Sequence, residues 1–383
     1  MVLKEALDSE SNSESISLRI PLCDLVHRGY EITIGSSNLN SVGLIISRFN
    51  SCSRIVILTD SNVQRYGYSS VVESSLVNAG FDVHVEIIEA GERSKSIESA
   101  IKLWSNFLSL GIDRSSILVS VGGGVVGDLG GFIAATYARG IRFFQIPTTL
   151  LAQVDSSVGG KVGIDLPQAK NMVGCFYQPL GVLIDSASLK TLPDIEYICG
   201  LGEVAKYAVS LDTELFNVLE KNAEKIKLRD SELLKYIVKR CCEIKSQIVS
   251  EDEFEKTGKR ILLNYGHTFA HSLEIVSDFK LFHGLAVAIG SIYAARLAER
   301  MGMVDKEFVE RQIKLYKSIG LPAELPEELL VTINYDEIIN LMTHDKKSES
   351  GNLRFVLPTQ VGQCRVVKDI DPKIIKQVLC ENN

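Results

Sequence analysis

Short β-branched runs alternate with stretches of helical period through the first half of the chain, and helical period alone fills the second. Arg54–Thr59 (RIVILT), Val83–Ile88 (VHVEII), Ile117–Val121 (ILVSV), Phe143–Ile146 (FFQI) and Val182–Asp185 (VLID) read as strands. Residues 63–79 and 96–110 between them carry apolar positions at helical spacing, and the alternation predicts βαβ units with a mostly parallel sheet. From about Gly200 the segments 229–250, 256–276, 283–302 and 304–318 repeat the 3.6-residue spacing with few breakers, so this half is expected to be all-α. Pro193, Gly200 and Gly202 mark the change.

One block breaks the apolar pattern with chemistry. The strand at 117–121 runs into three glycines (GGGVVGD) and then a helical segment, and the strand at 143–146 runs into Thr148-Thr149. Gly122, Gly124 and Gly127 fit GxGxxG after a strand and before a helix, the setting in which backbone N–H groups and a helix start receive phosphate. The motif comes two βα units too late to be a first-strand dinucleotide fingerprint, and glycines kept only for close packing are the plain alternative. Its company favours a nucleotide. Asp60 ends an earlier strand, where an acid can bond a ribose hydroxyl, and Gly91-Glu92-Arg93-Ser94-Lys95 follows another. Asp155, Lys161 and Lys170-Asn171 come next, on segments rich in Gly and Ser. The expected organisation is a flexible tail at 1–17, a nucleotide-binding α/β domain at 18–197 and a helical metal- and substrate-binding domain at 198–383.

Composition narrows the classes. The chain has 383 residues, 45% hydrophobic and 23% charged, which favours two domains over one core. A net charge of −7 argues against sequence-independent nucleic-acid binding, which needs a basic face. The polar, acidic N-terminus does not read as a signal peptide, and no apolar run is long enough to span a bilayer, so neither membrane nor nucleic acid is an expected partner. Eight cysteines without a CxxC pair suggest reduced thiols and a cytoplasmic protein. Adjacent Cys241 and Cys242 would point about 100° apart on a helix and read as core.

Three of the six histidines fall close together: His267, His271 and His283. His267 and His271 in GHTFAH are spaced i,i+4, which can grip zinc, and a third ligand should be an acid or another histidine. Glu203 in GLGEVAKYA is a candidate, with Lys206 one helical turn on, although an i,i+3 pair is also an ordinary surface feature. Spacing leaves open which two of the three histidines bind.

Taken together, GGGVVGD, PTTLLAQVDSSVGGK, KNMVGCFYQP, GLGEVAKY, LLNYGHTFAH, FHG and HDKK resemble the 3-dehydroquinate synthases, from about residue 30 to 370 and in the same order. These are sugar phosphate cyclases, on a fold shared with iron-dependent alcohol and glycerol dehydrogenases. The resemblance implies an NAD site at Asp60, Gly91, Glu92 and Lys95, at Gly124, Val125, Val126, Gly127 and Asp128, at Thr148, Thr149, Lys161 and Lys170, and at Ser188, Leu189, Lys190 and Thr191. It implies a divalent metal, zinc or else cobalt, on Glu203, His267 and His283, which turns His271 toward substrate phosphate. The implied substrate pocket is Asp155, Lys161, Asn171, Lys206, Lys245, Arg260, Asn264, His271 and Lys347, the choice of Lys347 over Lys346 staying open. Arg139 would reach into a neighbouring subunit's pocket, which implies a homodimer.

The implied reaction takes 3-deoxy-D-arabino-heptulosonate 7-phosphate to 3-dehydroquinate by transient NAD-dependent oxidation, phosphate elimination, reduction, ring opening and aldol closure, in the shikimate route. A guanidinium fork suits a carboxylate, so Arg260 with Asn264 favours the acid substrate. The rivals are another cyclase (of amino-dehydroquinate, 2-epi-5-epi-valiolone or 2-deoxy-scyllo-inosose type), a metal-dependent polyol or glycerol-phosphate dehydrogenase, and a non-catalytic binding descendant. Four positions depart from the family pattern: Leu285 for Glu, Ala270 for Gly, Val162 for Thr and Asp165 for Asn. A buried Leu285 would deprive His283 of a supporting acid. One extra residue between Lys245 and Arg260 would rotate Lys245 by about 100° if it fell within a helix.

Overall fold

The computed structural model describes residues 29–49, 54–330, 334–344 and 353–380. The expected tail at 1–17, Cys23, Cys52, Lys346 and Lys347 lie outside them. In the first half, β1 (Glu31–Gly35), β2 (Arg54–Asp60), β3 (Asp82–Ile88), β4 (Ile117–Gly122) and β5 (Arg142–Pro147) precede a hairpin of β6 (Lys161–Leu166) and β7 (Ala169–Phe176), and β8 (Gly181–Asp185) follows. Six strands form one sheet in the order β1-β8-β5-β4-β2-β3, every pairing parallel.

The apolar runs are continuous because both faces are covered. Val56, Leu58 and Leu118 pack with helices Ile97–Ser109 and Gly124–Thr136 on one side. Ile55, Ile57, Val119 and Phe144 pack with helix Tyr68–Asn78 on the other. At the β8 end, Val182 and Ile184 belong to the core of the second half, together with Leu150, Val154, Tyr207 and Ile237. That shared core fixes the carboxyl ends of the strands against the C-terminal helices.

The second half is largely helical, and Asp212, Asp230 and Asp305 cap three of its helices through side-chain oxygens. The all-α expectation needs one addition: β9 (Arg354–Gln360) and β10 (Gln363–Lys368) form an antiparallel hairpin whose Phe355, Val356 and Leu357 enter the core. The expected helix over 63–79 is two, Ser61–Arg65 and Tyr68–Asn78, broken at Gly67. The one over 256–276 is a 3-10 turn, Arg260–Asn264, and a helix, His267–Val276. The break falls at Gly266, whose φ of +80° suits glycine and where a Cβ would sit 2.7 Å from the Ser291 nitrogen. No helix among the described residues is long and apolar enough to cross a membrane.

Candidate active site

Two helices from different parts of the second half approach until their backbones touch. A Cβ on Gly202 would lie 2.1 Å from the Gly284 carbonyl oxygen, and one on Gly284 would lie 1.9 Å from that of Cys199. Only glycine permits this, and the residues after Gly202 and before Gly284 are Glu203 and His283. His267 joins them from the first turn of its own helix. The ligand atoms of Glu203, His267 and His283 all lie within 4.8 Å of one another. Glu203 Oε1 is 3.5 Å from His267 Nε2 and 3.3 Å from His283 Nε2. Each ring's other nitrogen has a partner: His267 Nδ1 is 3.3 Å from the Tyr265 carbonyl, and His283 Nδ1 is 3.4 Å from the Glu274 carboxylate. This is the outer support that metal-ligating histidines need, and one carboxylate with two imidazoles is a donor set suited to zinc or cobalt. Burial pushes His267 down to about 3, which keeps its ring neutral. His283 goes the other way: burial opposes its charge, but Glu203 and Glu274 raise it to about 10.

Lys206 is buried beside Glu203 and ion-paired with it, so the pair is no surface feature. Burial would raise the Glu203 carboxyl, but Lys206, His283 and His267 together outweigh it and hold the group at about 2. Asp155 stands next in line. Its Oδ1 takes a hydrogen bond from Lys245 Nζ at 2.8 Å and another from the Tyr207 hydroxyl, and its carbonyl takes one from Lys245 at 2.7 Å. Burial alone would raise Asp155, yet Lys245 and Lys206 together keep it far below the usual carboxylate range. Lys245 sits in the unbroken helix Ser231–Glu251. Arg260 is 2% exposed, with Nη1 donating to the Glu253 carbonyl at 2.9 Å and Nη2 to that of Gly159 at 3.3 Å. Glu255 lies 3.5 Å from Arg260 Nε and also pairs with Lys161, at the head of β6. Asn264 is exposed, and His271 is exposed beside the cluster, its ring 5.4 Å from that of His267.

The residues expected to meet a nucleotide gather at the carboxyl ends of the strands, where open α/β sheets bind ligands. Helix Gly124–Thr136 starts at the end of β4, and Thr148 N bonds the Gly122 carbonyl at 3.0 Å. Gly127 serves packing, since a Cβ there would lie 3.0 Å from Gln145 Oε1. Val126 and Leu189 are core side chains, which leaves their backbones for a ligand; Val125 sits in the first helical turn. Asp60 Oδ1 accepts from Asn62 N and Val63 N, capping the next helix. Thr149 Oγ1 accepts from Ala152 N, Ser188 is buried, Lys190 is exposed, and Thr191 pairs with the Tyr68 hydroxyl at 2.7 Å. Lys95, beyond Gly91 and Glu92, is 4% exposed and bonds Asp128 at 2.7 Å as well as Asn171. Lys170 lies over the Phe279 ring at 4.3 Å, joining the β6–β7 hairpin to the loop between the two histidine helices. Arg139 ends a 3-10 turn with a φ of +68°.

Leu285 is half-buried, not buried, and Glu274 supplies the acid beside His283. Val162 fills the space left by Gly131, Ala270 is core, and Asp165 Oδ1 accepts from Asn171 N at 2.7 Å. Sequence reasoning missed Glu274, Tyr207 and Glu255. Glu274 had a signal, two helical turns after His267 on the same face; the others meet their partners only through the fold.

Known proteins match both parts. A 2-epi-5-epi-valiolone synthase from Streptomyces hygroscopicus, with NAD+ and Zn2+ bound, superposes with a TM-score of 0.85 at 25% identity, over 95% of this chain and 99% of its own. A 2-deoxy-scyllo-inosose synthase complexed with carbaglucose-6-phosphate, NAD+ and Co2+ gives 0.80 at 27%, over 92% and 97%. Fold and ligand cluster thus define a sugar phosphate cyclase. The family models described as 3-dehydroquinate synthase N-terminal and C-terminal match residues 85–199 and 200–348. A 3-dehydroquinate synthase from Desulforamulus reducens is 46% identical over 94% of this chain and 98% of its own length. The chain belongs to the 3-dehydroquinate synthase family, and its function is that of a 3-dehydroquinate synthase in the shikimate pathway.

Proposed function

We propose that the chain converts 3-deoxy-D-arabino-heptulosonate 7-phosphate to 3-dehydroquinate and phosphate at the cleft between residues 18–197 and 198–383. The observation that carries this reading is the Glu203–His267–His283 cluster standing beside buried Lys206, Asp155 and Lys245. A divalent ion on those three ligands would polarise a secondary hydroxyl, and NAD+ at the strand ends would accept a hydride and later return it. The residues of the chain do the rest. Asp155 and Lys206 orient ring hydroxyls, while Arg260, Asn264 and Lys245 take the carboxylate. His271, Lys161, Asn171 and the neighbouring subunit's copy of Arg139 take the phosphate, in a homodimer. Departing phosphate serves as its own base, so no further carboxylate is required. Free thiols at six described cysteines support a cytoplasmic setting.

The test offers purified, zinc-loaded protein the heptulosonate phosphate with NAD+ and follows inorganic phosphate and nicotinamide absorbance together. Phosphate release without net NADH supports the reading; accumulating NADH would make the chain a dehydrogenase. Arg260→Leu should raise KM for the acid substrate at least about tenfold. An unchanged KM would point to a cyclase whose substrate lacks a carboxylate.

A further inference from the structure

We propose that Gln153 is a positioning residue for this reaction: its buried carboxamide pins the turn that carries Asp155 to the ends of two sheet strands. The turn, Ala152–Ser156, is π-helical, a wide turn found frequently at functional sites. Strands β5 and β8 register at a single pair, Gln145 with Val182, and beyond it no backbone ladder joins them. Gln153 bridges that gap. Its Nε2 lies 3.2 Å from the Pro147 carbonyl at the end of β5, 3.1 Å from the Asp185 carbonyl at the end of β8, and 3.1 Å from Ser188 Oγ. Ser188 closes the set by donating to the Asp185 carbonyl at 2.7 Å, with the Thr148 carbonyl 3.3 Å away.

The backbone of the same residue faces the other half. The Gln153 carbonyl accepts from Cys242 Sγ at 3.3 Å, and Cys242 lies one helical turn before Lys245, the partner of Asp155. One residue thus ties sheet, cofactor segment and substrate helix to the turn bearing Asp155. Gln153 is fully buried, and its Oε1 has no hydrogen-bond partner. A buried acceptor without a donor costs stability, and an apolar side chain of similar length would remove it only by withdrawing the donor from the Pro147 carbonyl. Retention of the amide is therefore better explained by what Nε2 holds than by packing.

The proposal rests on Asp155 touching substrate, and the test separates the two. Gln153→Met keeps the volume and removes both the bonds and the orphan. In the zinc- and NAD+-loaded protein we expect kcat to fall at least about tenfold, with cooperative melting retained and faster amide exchange at residues 152–157. Unaltered kcat overturns the proposal, as does lost kcat with unaltered exchange. Should Gln153→Met fail to fold, Ser188→Ala removes one partner only; unchanged kcat and exchange there also overturn it. If the wild type releases no phosphate, the functional reading has failed. The exchange measurement alone then decides whether Gln153 holds the turn.

Discussion

Glu274 and Tyr265 each occupy the nitrogen that a ligating imidazole turns away from its ion, and so fix ring orientation. Glu274→Gln should weaken zinc binding about 10–100-fold, measured as metal retained after dialysis, with excess zinc restoring activity. Retention equal to wild type would remove Glu274 from the site. Asp252 does comparable work for Arg260: it accepts from the backbone N–H of Thr257, Arg260 and Lys256 at 3.0, 3.0 and 2.7 Å, holding its carboxyl down to about 2. The folded value lies below the unfolded one of about 3.9. Its contribution is therefore complete above about pH 4 and disappears as pH falls through about 2. The gap in urea midpoint between wild type and Asp252→Asn should shrink steadily over that window; a constant gap refutes the account. Asp252 was invisible in the sequence because its partners are backbone groups of a loop, which no residue type announces.

At the level of elements, the metal cluster depends on two helices touching at Gly202 and Gly284. Gly284→Ala adds one methyl where the Cys199 carbonyl stands and must push the helices apart. Zinc content should fall below stoichiometric and kcat/KM by more than about a hundredfold, and full occupancy would contradict the packing argument. The strands β2, β4, β5 and β8 were legible because burial on both faces demands continuous β-branched and aromatic runs. β1 was not, since EITIG is a short edge strand with only two apolar side chains, Ile32 and Ile34. The β6–β7 hairpin was missed for another reason: Gly163 and Gly174 face each other in it, and glycines in a strand erase the pattern that would reveal it. The metal triad itself became legible by resemblance, because i,i+4 spacing pointed equally to His271.

For the whole molecule, the Glu203–His267–His283 cluster and the end of β8 are tied to one core, so binding there should be felt globally. Zinc and NAD+ at about a hundredfold above Kd should each add about 2.7 kcal/mol to unfolding free energy, and chelator should abolish the zinc increment. Denaturant titration with and without each ligand measures this; a zinc increment that survives chelation would place the ion elsewhere. Two-part organisation was readable from the switch in periodicity near Gly200. The single core running from Val182 and Ile184 into the C-terminal helices was not, since periodicity shows which face is buried and never against what.

The glycine contact between helices Asp194–Leu211 and His283–Arg300 has a further consequence for how the enzyme dies on heating. Because bare backbones form the seam, parting the helices separates Glu203 from His283, so an ion held between them is released when the helices undock. Cation escape and melting should occur as one cooperative event, so a zinc-sensitive dye and a calorimeter would trace the same transition.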